Sequence, residues 1–236
     1  MNLPENTNRK VKDWLLPRLI AWEGRLGMRR RVFSNLYRHN LWGNAESRSG
    51  HGSSLASTEA IRSALPGLLT RFGIRTMLDA ACGDFHWMSQ LDLDLDRYLG
   101  ADIVPALIDD NRRAFARGAP RRREFAVLDI TRDPIPPMDL ILCRHCMIHM
   151  PHADITTALR NFVESGSRYL MATTIPGATA NRDIRTGSFR ELNLELPPFS
   201  LPAPLAKIND PVWCDGQFRD DGWLYLWSLE DLRGRA

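Results

Sequence analysis

The chain has 236 residues, a size for one large domain or one domain plus an arm. Its 31 basic and 28 acidic side chains leave a net charge of +3; with 44% hydrophobic residues, this excludes a disordered chain. No run of about 18 apolar residues occurs, which excludes a transmembrane helix of ordinary length. No apolar segment with a small-residue cleavage site follows the start, so no signal peptide is expected. Four cysteines without framework spacing point to a reducing, cytoplasmic setting.

Charge is unevenly spread. Residues 1–40 hold nine cations (Arg9, Lys10, Lys12, Arg18, Arg25, Arg29, Arg30, Arg31, Arg38) against Glu5, Asp13 and Glu23. That arm is +6 and the rest of the chain −3. Such an arm is either a solvated amphipathic helix or a grip on a polyanion.

Trp14, Leu15, Leu19, Ile20 and Trp22 give a partly periodic apolar face that Val32, Phe33, Leu36 and Tyr37 continue. Pro17 and Gly24 interrupt it, predicting two short helices. Residues 43–54, with three Gly and four Ser, predict a loop. Ser57-Thr58-Glu59 starts a helix through Ile61 and Leu65 that is expected to stop at Pro66, with a further turn over 68–72. From residue 75 the pattern changes. Thr76 to Asp79, Tyr98 to Asp102, Phe125 to Asp129, Leu140 to Cys143 and Tyr169 to Thr173 are near-continuous apolar runs that suit strands buried on both faces. Helical stretches over 86–92, 104–117 and 154–166 separate them. Residues 175–204 are loop-like and Pro-rich. Residues 223–228 form a last alternating strand, with Leu205 to Ile208 as its hairpin partner. The alternation predicts an α/β fold: a doubly wound, mostly parallel sheet with helices on both faces and an N-terminal helical arm.

In such sheets ligands bind beyond the carboxyl ends of the strands. Asp79, Asp102 and Asp129 stand at three of those ends. Ala80-Ala81-Cys82-Gly83 follows the first, small enough for a backbone to approach a ligand. Asp102 is placed to accept hydrogen bonds from ribose hydroxyls. The dinucleotide fingerprint is missing its glycines, and Asp84 would repel a pyrophosphate. The loop suits a nucleoside cofactor bearing an amine or sulfonium and no phosphate.

The stretch LDAACGDFHWM (78–88), with LGADIV (99–104), VLDIT (127–131) and LILCRHCMIHMP (140–151), resembles the class I S-adenosylmethionine-dependent methyltransferases. The resemblance covers about residues 57–175, and the two last strands complete a Rossmann-like sheet of seven. Only Asp79 and Gly83 of the family's first motif are kept; Ala81 and Phe85 replace the flanking glycines. The resemblance implies that Asp79, Ala81, Cys82 and Gly83 line the methionine and ribose portion. It implies that Asp102 and Ile103 bind the ribose hydroxyls, and that Asp129 with Ile130 holds the adenine amine. Cys143, Arg144 and His145 would face methyl donor and acceptor. A narrower resemblance of residues 42–62 is to bacterial methyltransferases encoded with glycan or natural-product genes. The domains implied are 1–56, a basic arm and cofactor-side loop, and 57–236, the S-adenosylmethionine-binding methyltransferase domain, yielding S-adenosylhomocysteine.

Methyl transfer to a hydroxyl or amine benefits from a base. His145 and His149 follow the fourth strand; in a helix starting near His145 they share one face. Cys143-x-x-Cys146 with His145, His149 and His152 has metal-ligand residue types. A single C-x-x-C with Cys143 in an apolar strand does not make a zinc site, so no metal is expected. Residues 173–199 form an insertion too polar for core, expected to wall the acceptor through Asn181, Arg182, Arg190 and Asn193. Loop 46–54 is placed to close over the cofactor. The expected acceptor is a small molecule or saccharide. The alternatives are a nucleic-acid methyltransferase gripping phosphates through residues 1–40 and Arg121-Arg122-Arg123, and a non-catalytic S-adenosylmethionine-fold binding module.

Overall fold

Alternation along the first predicted strand explains the layering. In the computed structural model, which describes residues 16–24, 28–42, 44–116, 123–214 and 216–234, β1 spans Thr76–Ala80. Its Leu78 and Ala80 point to one face and Met77 to the other, as a strand's period of two requires. Helix α5 (His152–Glu164) covers the first face with Ile155, Ala158, Leu159 and Phe162. Helices α3 (Glu59–Arg71) and α4 (Pro105–Phe115) cover the second with Ile61, Leu65, Leu107 and Ile108.

The remaining strands are β2 (Arg97–Asp102), β3 (Arg123–Val127), β4 (Leu140–Cys143), β5 (Tyr169–Thr174), β6 (Ala206–Asn209), β7 (Val212–Cys214), β8 (Gln217–Arg219) and β9 (Trp223–Ser228). Seven of the strands form one sheet in the order β3-β2-β1-β4-β5-β9-β6. The first five are parallel; β9 runs antiparallel to β5 and β6 antiparallel to β9. The strand order reverses between β1 and β4, which makes their carboxyl ends the expected ligand crevice. Four of the parallel strands and the last hairpin stand where the sequence predicts them; β3 ends at Val127, two residues before the expected Asp129.

Several local expectations change. Helix α3 does not stop at Pro66 but runs on to Arg71, because Leu68 and Leu69 bury against the sheet and offset one missing backbone hydrogen bond. The stretch 86–92 is only a 3-10 turn over Met88–Gln90. The ribbon β7–β8 was not foreseen.

In the arm, residues 16–24 (α1) and Arg29–Arg38 (α2) are helical, and Pro17 lies within α1. Leu16, Ile20, Val32 and Leu36 form a small apolar cluster of their own. The arm is tied to the body: Tyr37 donates to Asp110 at 2.9 Å, and Arg29 reaches Asp154 at 2.8 Å. Trp14, Leu15, Arg9, Lys10, Lys12, Arg25, Arg121 and Arg122 lie outside the described residues.

Candidate active site

A cavity of about 210 Å³ opens at the carboxyl ends of β1, β2 and β4. Of the predicted cofactor residues, Asp79, Ala81, Cys82, Gly83, Asp102, Ile103, Asp129, Ile130 and Arg144 line it. Cys143 does not. It closes β4 at 1% exposure among the core residues, because the strand's alternation turns it toward α5. The neighbouring Cys146 reaches the cavity instead.

One half of the cavity is acidic. Tyr98 donates to Asp79 at 2.7 Å, and burial still pushes that carboxyl up to about 7. Burial likewise lifts Asp102 to about 6, although it accepts the backbone N–H groups of Val104 at 3.0 Å and Gly83 at 3.3 Å. Gly83 has φ +56, and a Cβ on it would come within 2.3 Å of the Ser49 hydroxyl, so the loop 81–83 is a cradle that only glycine permits. Asp129 accepts from the Thr131 hydroxyl at 2.7 Å and from Arg29 at 3.2 Å. Burial opposes its ionisation, yet these partners hold it below the usual carboxylate range.

Helix α2 thus reaches the cavity with Arg29, Phe33 and Tyr37, which no sequence signal assigned to it. Asp84, the expected pyrophosphate repeller, faces the loop 46–54, accepting from the hydroxyls of Ser47 at 2.9 Å and Ser49 at 3.1 Å. That loop lines the cavity through residues 49–53.

The other half carries the two histidines. They do not share a helix face: the chain makes only a 3-10 turn at Met147–His149, and α5 starts at His152. His145 sits at φ +49, its N–H donating to the Thr173 hydroxyl at 2.9 Å. Its Nε2 lies 3.2 Å from a carboxylate oxygen of Asp210, which is fully buried in the loop after β6. Arg144 donates to the other Asp210 oxygen at 2.7 Å and to the Gly52 carbonyl at 2.7 Å. Against its burial, Arg144 and His145 hold Asp210 down to about 2. Burial and Arg144 lower His145. The Nδ1 of His145 lies against Gly52, where a Cβ would come within 2.5 Å. Asp210 stands next to a Pro in a loop, with no motif to mark it in sequence.

The His149 Nδ1 is 2.9 Å from the Ser188 carbonyl, which can only accept. Burial drops His149 to about 4, so the ring is neutral near pH 7 with hydrogen on Nδ1 and a lone pair on Nε2.

The insertion 173–199 behaves differently from expectation. Asn181 donates to the carbonyls of Asn193 at 2.8 Å and Pro197 at 2.9 Å. Arg190 is buried and donates to the Met150 carbonyl at 2.6 Å. Asn193 accepts from Glu195 N–H at 3.0 Å, and Arg182 is exposed. None of these four lines the cavity; from this segment only Phe189 does. A long segment without helix or strand needs partners for its own backbone, and Asn181 and Asn193 are spent there, while Arg190 ties the segment to the turn after β4.

The acidic half fits a cofactor with a sulfonium, an amine and ribose hydroxyls. Both Arg side chains that line the cavity, Arg29 and Arg144, are already paired with carboxylates, so a phosphate finds no unpaired Arg or Lys there among the described residues.

The family model described as a methyltransferase domain matches residues 77–165. Similar solved structures include the N-methyltransferase NodS of Bradyrhizobium japonicum WM9 with S-adenosyl-l-homocysteine. It is 15% identical, covering 81% of this chain and 97% of that one at a TM-score of 0.57. Magnesium protoporphyrin IX methyltransferase of Synechocystis PCC 6803 with bound SAH is 12% identical, covering 84% and 97% at 0.54. The methyltransferase domain of bacterial CtHen1 is 12% identical; the chain spans 66% of it, with 50% of its own length, at 0.45. No curated protein sequence matches the chain. Residues 77–165 thus match a methyltransferase domain, and the seven-stranded sheet has the fold of these methyltransferase structures. Among the described residues no helix is long and apolar enough to cross a membrane.

Proposed function

We propose that the chain methylates a hydroxyl or amine of a small molecule, with S-adenosylmethionine in the acidic half of the cavity and the acceptor beside His145 and His149. The single observation that carries this is one cavity with three carboxylates at one end and two neutral imidazoles at the other. Asp102 and Asp79 would hold the ribose and methionine portion, with the Gly83 cradle between them; Asp129 and Ile130 would flank the adenine. Bound S-adenosylmethionine supplies an electrophilic methyl on a sulfonium.

The chain's own residues orient the acceptor and take its proton. His149 Nε2 is the acceptor atom for that proton. A pKa near 4 suffices for a hydroxyl, since an oxygen gaining a methyl becomes a far stronger acid than imidazolium. Asp210 acts through His145: its carboxylate, 3.2 Å from Nε2, steadies the ring electrostatically, while Nδ1 lies against the Gly52 wall. Walls from α2, the loop 49–53 and Phe189 exclude water.

Calorimetry with S-adenosylmethionine, S-adenosylhomocysteine and NAD tests the reading. Heat with the first two, lost in Asp102→Ala, is expected. Binding of NAD alone, or S-adenosylhomocysteine binding that is indifferent to Asp102→Ala, overturns it.

A further inference from the structure

The half of the cavity around the histidines is walled by rings from separate parts of the chain. Trp42 lies 6.2 Å from His149, ring centre to ring centre, and Phe189 lies 6.1 Å from it on the 173–199 segment. Trp213, on the ribbon β7–β8, stacks on His51 at 4.2 Å and 14°. All five rings line the cavity, and Phe189 keeps 37% of its surface exposed at the rim.

Charge in this half is fully used. Arg144 is spent on Asp210 and the Gly52 carbonyl, and Asp210 on Arg144 and His145. An anionic acceptor therefore meets no free cation among the described residues, and a cationic one meets no free carboxylate; either loses hydration without return. Hydrogen-bonding groups are few as well. The Ser49 hydroxyl is spent on Asp84 and one ring nitrogen of His51 on Asn44, which leaves the imidazoles of His145 and His149, Ser53 and the tryptophan N–H groups. A polyol would set most of its hydroxyls against ring faces.

Resting on the methyl-transfer reading, we propose that the acceptor is a neutral, flat aromatic molecule. Its ring lies among Trp42, Phe189 and Trp213, and its single hydroxyl or amine points at His145 and His149. Offset and edge-to-face ring contacts supply affinity, and the imidazole end supplies orientation.

The test is calorimetry on the full chain saturated with S-adenosylhomocysteine, using 1-naphthol, 1-naphthoate and methyl α-glucoside as probes. The expected result is binding of 1-naphthol about tenfold tighter than 1-naphthoate, which must give up a charge's hydration, and about tenfold tighter than the glucoside, whose hydroxyls would face ring surfaces. Phe189→Ala and Trp213→Ala are each expected to weaken 1-naphthol about two- to tenfold while leaving S-adenosylhomocysteine affinity unchanged. Unchanged cofactor affinity also reports that each variant is folded. Equal or tighter binding of the carboxylate or the glucoside overturns the inference, as does absent 1-naphthol binding to a protein that binds S-adenosylhomocysteine; both leave the methyl-transfer reading standing. Failure to bind S-adenosylhomocysteine overturns both.

Discussion

The acidic half of the cavity draws Asp79, Gly83, Asp102 and Asp129 from the ends of three neighbouring parallel strands, whereas the aromatic half gathers Trp42, His145, Phe189 and Trp213 from four separate stretches, with Asp210 behind His145. Strand ends are adjacent in space because the sheet is parallel, so one local pattern repeated three times builds the first half. Nothing local relates Trp42 to Trp213. The second half exists only because the arm, the insertion and the C-terminal hairpin all fold over the same strand ends. The half proposed for the cofactor and the half proposed for the acceptor are thus held by different kinds of contact.

The largest expected effect breaks the aromatic half at its buried ion pair. Arg144→Ala leaves the Asp210 carboxylate fully buried and without its cation, and is expected to cost about 3–5 kcal/mol of stability, read from urea unfolding. An unchanged unfolding midpoint would show that the pair does not hold that half together. Next, His149→Ala is expected to slow methyl transfer about a hundredfold in single-turnover kinetics, with S-adenosylhomocysteine affinity intact. A change in cofactor affinity alone would move His149 into the other half. Asp102→Asn, cutting only the acidic half, is expected to weaken S-adenosylhomocysteine about tenfold by calorimetry, the worth of a charge-assisted hydrogen bond.

The acidic half also carries a pH dependence. Burial raises Asp79 to about 7 and Asp102 to about 6, so each binds its proton more tightly folded than unfolded. From these two groups the ligand-free fold loses stability as pH rises from about 4 to about 7 and loses no more above that. Ionised carboxylates are what a cationic cofactor pairs with, so its affinity is expected to rise over the same window, by up to about tenfold per pH unit below 6 for each carboxylate required. Calorimetry at pH 5.5 and 8 measures it; affinity that is flat in pH would remove both carboxylates from charge recognition.

The parallel strands, their order of helices and the acidic strand ends were legible in the sequence, since all follow from local apolar runs and what ends them. The histidine pair was legible as residue types, but its geometry was not: the expected helix face is a 3-10 turn, because Met147 and Ile148 turn into the core and α5 begins only after Pro151. The insertion misled most. Asn181, Arg190 and Asn193 have the composition of a binding wall, yet they bond backbone carbonyls of their own neighbourhood.

A charge count of +3 said little about partners until the tertiary structure turned Arg29 inward onto Asp129 and made the basic arm part of the cavity wall. By itself the sequence determined the sheet and the carboxylates at its edge, because a strand and the turn after it are decided within a few residues. Only the tertiary structure decided which rings surround the acceptor and which carboxylate steadies His145, because those contacts join residues as far apart as 145 and 210 through burial that no local pattern encodes.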